Sequence, residues 1–191
     1  MQNTIIFAAQ LADVAHEDQT RKWTGRPFIE HPARVAARTT LETNVTEDQI
    51  AAAWLHDVVE DCGAYSLRTL HNLKFSFETI QLVDELTNVS KWVPDLSRPV
   101  RKYLDHQRLA GVSDWAKRIK MIDVIDNIQD MGGAPEQFAS LFVAEKVNLL
   151  KRIGHASDTL YDEALAAIET AGFKRDHYDK RTELTFSTTF R

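Results

Sequence analysis

The sequence predicts an all-α fold: one helical bundle of about eight helices, with a short β-like tail at the C-terminus. Three observations predict it. Apolar residues recur at helical spacing through most of the chain, only seven glycines and five prolines interrupt its 191 residues, and no repeat, charge block or linker divides it. Hydrophobic residues at 43% and charged residues at 27% fit one globular domain over 1–191, large enough to bury a substantial core.

Ile5, Ile6, Ala9, Ala12 and Val14 set the first helix, over 3–18. "QTRKWTGRPFIEHP" follows as a connector broken by Gly25 and Pro27. The second helix starts near Pro32, a residue suited to a first turn, and ends before "ETNVTEDQ", where Thr46 ahead of acidic residues marks the next start. The third helix, over 47–60, carries "AAAWLHDVVED". "LRTLHNLKF" and "FETIQLVDELT" read as short helices, and "VSKWVPDLSRP" as a loop with two prolines. Further helices are expected over 98–111, in "DWAKRIKMIDVIDNIQDM" up to Gly132 and Gly133, in "APEQFASLFVAEKVNLLKRIG" and in "DTLYDEALAAIETAG". The β-branched and aromatic "RTELTFSTTFR" is the candidate strand.

A formal charge of −5 argues against a long nucleic acid as partner, since binding a phosphate backbone needs a basic face. A small phosphorylated ligand held by a metal and a few cations remains compatible with it. Cys62, the one cysteine, permits no internal disulfide. "MQNTIIFAAQLADVAHED" has no basic leader or cleavage site, and no window approaches the roughly 20 apolar residues of a membrane span, so a cytoplasmic protein with no membrane partner is expected. A homo-oligomer is left open.

The chemistry concentrates in "AAAWLHDVVED", where an apolar run ends in His56, Asp57, Glu60 and Asp61. On a continuous helix, residues four apart share a face, so His56 is expected over Glu60 and Asp57 over Asp61. Burying such groups is costly without a partner, and a divalent cation compensates several at once. Mixed imidazole and carboxylate donors suit manganese, iron or zinc better than calcium. Two adjacent residues do not complete a site. His31 in "FIEHP", at a helix start, and Asp123 in "IKMIDVIDNIQD", on a stripe of Ile119, Ile122, Ile125 and Ile128, are the candidate further ligands. Asn127 shares a face with Asp123; Asp126 and Asp130 read as solvated.

Together His31, the His56-Asp57 doublet and Asp123 resemble the ordered H…HD…D set of the HD metal-dependent phosphohydrolases. "AHEDQTRKWTGRPFIEHPARVA" followed by "AAAWLHDVVED" and "RIKMIDVIDNIQDM" narrows the resemblance to the hydrolase domain of the RelA/SpoT family, over roughly 5–155, with 156–191 forming the C-terminal helices and tail. The resemblance implies a Mn²⁺-dependent enzyme, with one ion, that removes the 3′-pyrophosphate of ppGpp or pppGpp to leave GDP or GTP and pyrophosphate. It assigns the metal to His31, His56, Asp57 and Asp123, catalysis to Glu60 and Asp61, and substrate contacts to Arg21, Lys22 and Asn127. Lys120, three residues before Asp123, is a further candidate for the phosphates, and Lys146 and Arg152 for the 5′ side. With 191 residues there is no room for the synthetase domain of bifunctional members, so a small stand-alone hydrolase is expected.

Three departures from the family pattern, Cys62, Asp126 and Gln129, are expected to border the substrate pocket and so to bear on base and phosphate specificity. An adenosine alarmone or another 2′- or 3′-phosphorylated nucleotide is therefore the alternative substrate, and a non-catalytic nucleotide- or metal-binding module the alternative of a different class. Trp54 and Cys62 read as packing residues, Trp23 as a possible base-stacking one. His16, His71, His106, His155 and His177 read as structural.

Overall fold

The computed structural model describes residues 3–173. The expected C-terminal strand and His177 lie outside them. Ten α-helices are present among the described residues: α1 (Thr4–Ala15), α2 (Glu30–Thr39), α3 (Glu47–Leu55), α4 (Val58–Asp61), α5 (Leu67–Asn72), α6 (Phe77–Leu86), α7 (Arg98–Ala110), α8 (Asp114–Gln129), α9 (Glu136–Ile153) and α10 (Asp158–Thr170). Short 3-10 turns cover Val89–Trp92, Asp130–Gly133 and Gly154–Ala156. The β pairing among these residues is an isolated bridge between Thr20 and Pro27. The fold is all-α, as the periodicity predicts.

The helix count exceeds eight in part because the segment expected as one helix over 47–60 divides at His56-Asp57 into α3 and α4. The α3 start is a reciprocal cap: the Thr46 hydroxyl accepts from the Gln49 amide, and the Gln49 side chain accepts from the Thr46 amide. At the other end, His56 Nδ1 donates to the Ala53 carbonyl at 2.8 Å, and a side chain thereby takes up a last-turn acceptor. Asp57 sits at φ −99°, ψ −11°, and a new turn begins at Val58. His56 and Asp57 thus occupy a break between helices rather than a helix face.

The core is organised by α8. Ile119, Met121, Ile122, Val124 and Ile128 are buried around its circumference, and it packs against α2, α6, α7, α9 and α10. Fully burying each such aliphatic side chain is worth about 1.5–3 kcal/mol, which makes this helix the axis of the molecule. Because apolar residues cover every side of α8, its polar residues are buried too: Lys117, Lys120, Asp123 and Asp126 are at most 6% exposed. The α1, α3 and α6 helices form one wall of the bundle, and α2 bridges α3 to α8.

The connector between α1 and α2 folds back on itself. Arg21 exchanges backbone hydrogen bonds with Arg26 and Gly25, and Gly25, at φ +68°, supplies the left-handed residue that the turn requires. A side chain at Gly133 would bring a Cβ within 2.7 Å of the Trp23 carbonyl oxygen. The turn after α8 can therefore seat the Arg21–Trp23 segment only because glycine stands there.

Candidate metal centre

Three elements converge on one point: the start of α2 with His31, the α3–α4 break with His56 and Asp57, and the middle of α8 with Asp123. His31, His56 and Asp123 offer ligand atoms that all lie within 4.8 Å of one another. His31 Nε2 stands 3.1 Å from Asp123 Oδ1, 3.2 Å from His56 Nε2 and 3.4 Å from Asp57 Oδ2. His56 Nε2 stands 3.1 Å from Asp57 Oδ2 and 3.7 Å from Asp123 Oδ1. An ion with bonds of roughly 2.1 Å places neighbouring ligands about 3.0 Å apart in octahedral geometry. The observed separations are those of ligands around one ion.

The donor set fits a cation chemically. His56 Nδ1 is committed to the Ala53 carbonyl and His31 Nδ1 to Asp126 Oδ2 at 2.6 Å. Each ring therefore turns its other nitrogen inward, toward the second ring and two carboxylates. The same field favours protons on both rings. Burial lowers the His31 pKa, but hydrogen bonds to Asp123, Asp126 and Asp57 outweigh it and raise it to about 11. Burial likewise opposes His56, and the Asp57 charge and contacts with Asp123 and Asp57 carry it to about 9. Burial alone would raise the two carboxylates; the His56 charge on Asp57 and the Lys120 charge on Asp123 hold both well below the usual range.

Glu60 and Asp61 lie one turn past the break, but the split of the helix separates their settings. Glu60 is held by Asn88, accepting from its backbone amide at 3.0 Å and its side-chain amide at 2.8 Å. Asp61 opens to solvent at the rim. The protein around it, then the like charges of Asp57 and Glu60, push it up to about 7. The neighbouring Lys91 donates to the Val59 carbonyl and anchors the α6–α7 connector against α4.

The other sequence candidates divide. Lys120 is buried and donates to Asp123 Oδ2 at 2.9 Å. Asn127 donates to Asp123, and its side-chain oxygen accepts from Arg21 at 2.8 Å. Arg21 also pairs with Asp130 at 2.8 Å. Lys22 points the other way, its ammonium 4.6 Å from the Trp23 ring and 5.4 Å from that of Phe138. Trp23 packs against Phe138, and Trp54 against the core.

The expectation that Asp126 and Asp130 are solvated is corrected. Asp126 is neither solvated nor at a pocket rim: it is 5% exposed and accepts from His31 and from the Arg34 fork at 2.5 and 2.9 Å. Asp130 is likewise engaged, by Arg21 and Arg34. Cys62 turns its sulfur to the Ala15 carbonyl at 3.2 Å and to His16, away from the inward-facing nitrogens. Gln129 is exposed and lines a cleft of about 760 Å³ between α8 and α10 that contains none of the ligands.

The sequence reading named Lys120 and Lys146 but missed Asn88, Arg34, Arg98 and Lys102. Arg34 stands three residues after His31, as Asp126 does after Asp123, and that paired spacing was its only signal. Behind Lys120, a cavity of about 50 Å³ is lined by Asn88, Arg98, Lys102, His106 and Lys146, together with Asp105 and Glu145, which pair with Lys102 and Arg98. Lys146 has no carboxylate within ion-pair distance among the described residues. Burial and repulsion from Lys120 and Lys102 lower it to about 8. Burial, then Lys146, Lys102 and Arg152, lower His106 to about 3.

Comparison with known proteins agrees with this geometry. Residues 8–149 match the HD domain family. The human guanosine-3′,5′-bis(diphosphate) 3′-pyrophosphohydrolase MESH1 is 34% identical over 131 residues, covering 66% of this chain and 69% of that protein. The Drosophila melanogaster protein of the same name is 34% identical over 124 residues, 64% of this chain and 66% of that protein. A solved structure described as a metazoan ortholog of SpoT that hydrolyses ppGpp superposes with a TM-score of 0.79 at 25% identity, covering 91% of this chain and 98% of the other. With its family match spanning most of the described helices and its histidines and aspartates gathered at one point, the chain belongs to the HD domain family.

Proposed function

We propose that this chain is a Mn²⁺-dependent alarmone hydrolase that removes the 3′-pyrophosphate of ppGpp or pppGpp, giving GDP or GTP and pyrophosphate. The observation that carries the proposal is polarity: the His31, His56, Asp57 and Asp123 centre meets, through the Lys120–Asp123 pair, a small cavity lined by Arg98, Lys102, Lys120 and Lys146 with Asp105 and Glu145. A substrate with a diphosphate beside a scissile ester needs both. Arg21–Asn127 on one side and the Glu60–Asp61 pair on the other flank the same centre. The likeness to proteins named for this reaction supports it further.

A divalent ion held by His31, His56, Asp57 and Asp123 supplies Lewis acidity at a phosphoryl oxygen and lowers the pKa of water. The protein's own residues do the rest. Glu60, fixed by Asn88, orients the attacking water and takes up its proton. Asp61, pushed up to about 7, keeps a proton near neutral pH and delivers it to the departing 3′-oxygen. Lys120, with Lys102 and Lys146 behind it, neutralises charge on the diphosphate, and Arg21, held by Asn127, approaches the nucleotide from the connector. Lys120, buried at 6% exposure, acts here as a point charge that is already desolvated, and so interacts more strongly than a surface lysine.

The test is purified protein with ppGpp and Mn²⁺, its products resolved by chromatography, with the adenosine analogue run in parallel. GDP and pyrophosphate are the expected products. Orthophosphate from simple mononucleotides, with the alarmones intact, rejects the proposal.

A further inference from the structure

We infer that Asp126, clamped by Arg34, is the positioning residue of the metal ligand His31, and that it fixes the ring so that Nε2 faces the ion. The inference rests on the metal-centre reading above and deepens it. One helix grips the imidazole at both nitrogens. From α8, Asp123 Oδ1 meets Nε2 at 3.1 Å, and Asp126 Oδ2, one turn further along, meets Nδ1 at 2.6 Å. Asp123 is 3% exposed and Asp126 5%, so neither carboxylate is free to rotate into water.

Asp126 is itself held from the helix that bears His31. Arg34, one turn after His31 on α2, donates Nε to Oδ1 at 2.5 Å and a terminal nitrogen to Oδ2 at 2.9 Å. A planar fork of this kind sets the plane of the carboxylate as well as its position. The same guanidinium reaches Asp130 at 2.9 Å, which ties the clamp to the C-terminal end of α8. His31 and Arg34 on α2 thus interlock with Asp123 and Asp126 on α8. His56 has a different support, a neutral backbone carbonyl. A carboxylate behind a ligating imidazole fixes its tautomer and strengthens it as a donor, and losing such a partner typically costs about 10–100-fold in metal affinity.

The experiment is Mn²⁺ titration of the full chain, followed by electron paramagnetic resonance of the free ion, in the wild type and Asp126→Asn. Asparagine is nearly isosteric and removes the charge. The variant is expected to bind Mn²⁺ about 10–100-fold more weakly with its helical content intact. Equal affinity in a folded variant overturns the inference while leaving the metal centre standing. Wild-type protein that takes up no Mn²⁺ removes both. Should Asp126→Asn not fold, nitrogen-15 NMR of the Zn²⁺-loaded wild type decides. A far-downfield proton on His31 Nδ1 is expected, and an unprotonated Nδ1 overturns the inference.

Discussion

His31 and His106 are the same residue in nearly the same degree of burial, 1% and 7% exposed, yet the fold drives them in opposite directions. His31, among Asp57, Asp123 and Asp126, is raised to about 11. His106, among Lys102, Lys120, Lys146 and Arg152, is lowered to about 3. Burial opposes the imidazolium at both, so burial does not account for the difference; neighbouring charge does. The regions meet at the Lys120–Asp123 pair, 2.9 Å apart, which separates a side lined by carboxylates from a side where cations outnumber them. A site for a metal and a polyphosphate requires that separation, because unlike charges left unpartitioned would neutralise one another and bind neither.

The largest effect is expected from breaking the anionic side. His56→Ala removes one inward-facing nitrogen, and calorimetry should find no Mn²⁺ uptake and no turnover. In the intact protein, binding the ion must displace the protons on His31 and His56. Both imidazoles are raised, to about 11 and about 9, so Mn²⁺ affinity should climb as pH rises, on the order of tenfold per pH unit for each proton released.

Next in size are the carboxylates at the rim. Glu60→Gln or Asp61→Asn should lower kcat by about 10²–10⁴-fold while leaving Mn²⁺ affinity in place. Asp61 is assigned as proton donor, so activity should fall as pH rises through about 7, and Asp61→Asn should erase that limb of the profile. Undiminished turnover in the double variant rejects the assignment.

A moderate effect should follow on the cationic side. Lys146→Met removes the nearest repulsion from His106, and its NMR titration midpoint should move upward from about 3. KM for a diphosphate substrate should rise on the order of tenfold, the cost of one partly desolvated charge contact, with Mn²⁺ affinity little changed. The smallest effect belongs to an ion pair outside the axis. Arg38→Gln breaks the contacts of one terminal nitrogen with both Glu163 oxygens, at 2.8 and 2.9 Å on the α2–α10 surface, and that of the other with Glu42 at 3.1 Å. It should cost about 0.2–1 kcal/mol in denaturant unfolding and leave both histidines' titrations alone.

Much of the site is legible along the chain because ligating residues cluster by motif. His31, the His56-Asp57 doublet and Asp123 each stand out locally as polar groups on apolar surroundings, and the structure brings all four together. The supports are not legible in the same way. Asp126 and Arg34 look like ordinary charges on helices, since nothing in a linear pattern says that α2 and α8 face one another there. The α3–α4 break escapes for a related reason. The run "AAAWLHDVVED" keeps helical spacing throughout, and it is the His56 side chain taking a backbone acceptor that interrupts it.

By itself the sequence determined the helical class, through a periodicity that only a helix turns into one apolar face, and singled out the side chains that the fold gathers at the candidate metal centre. Tertiary structure alone decided which charges are neighbours. Electrostatic interaction depends on separation through space and on the dielectric between groups, and neither is set by distance along the chain. Two buried histidines with the same intrinsic pKa therefore came to stand in opposite electrostatic settings only once α2, α7 and α9 had closed around α8.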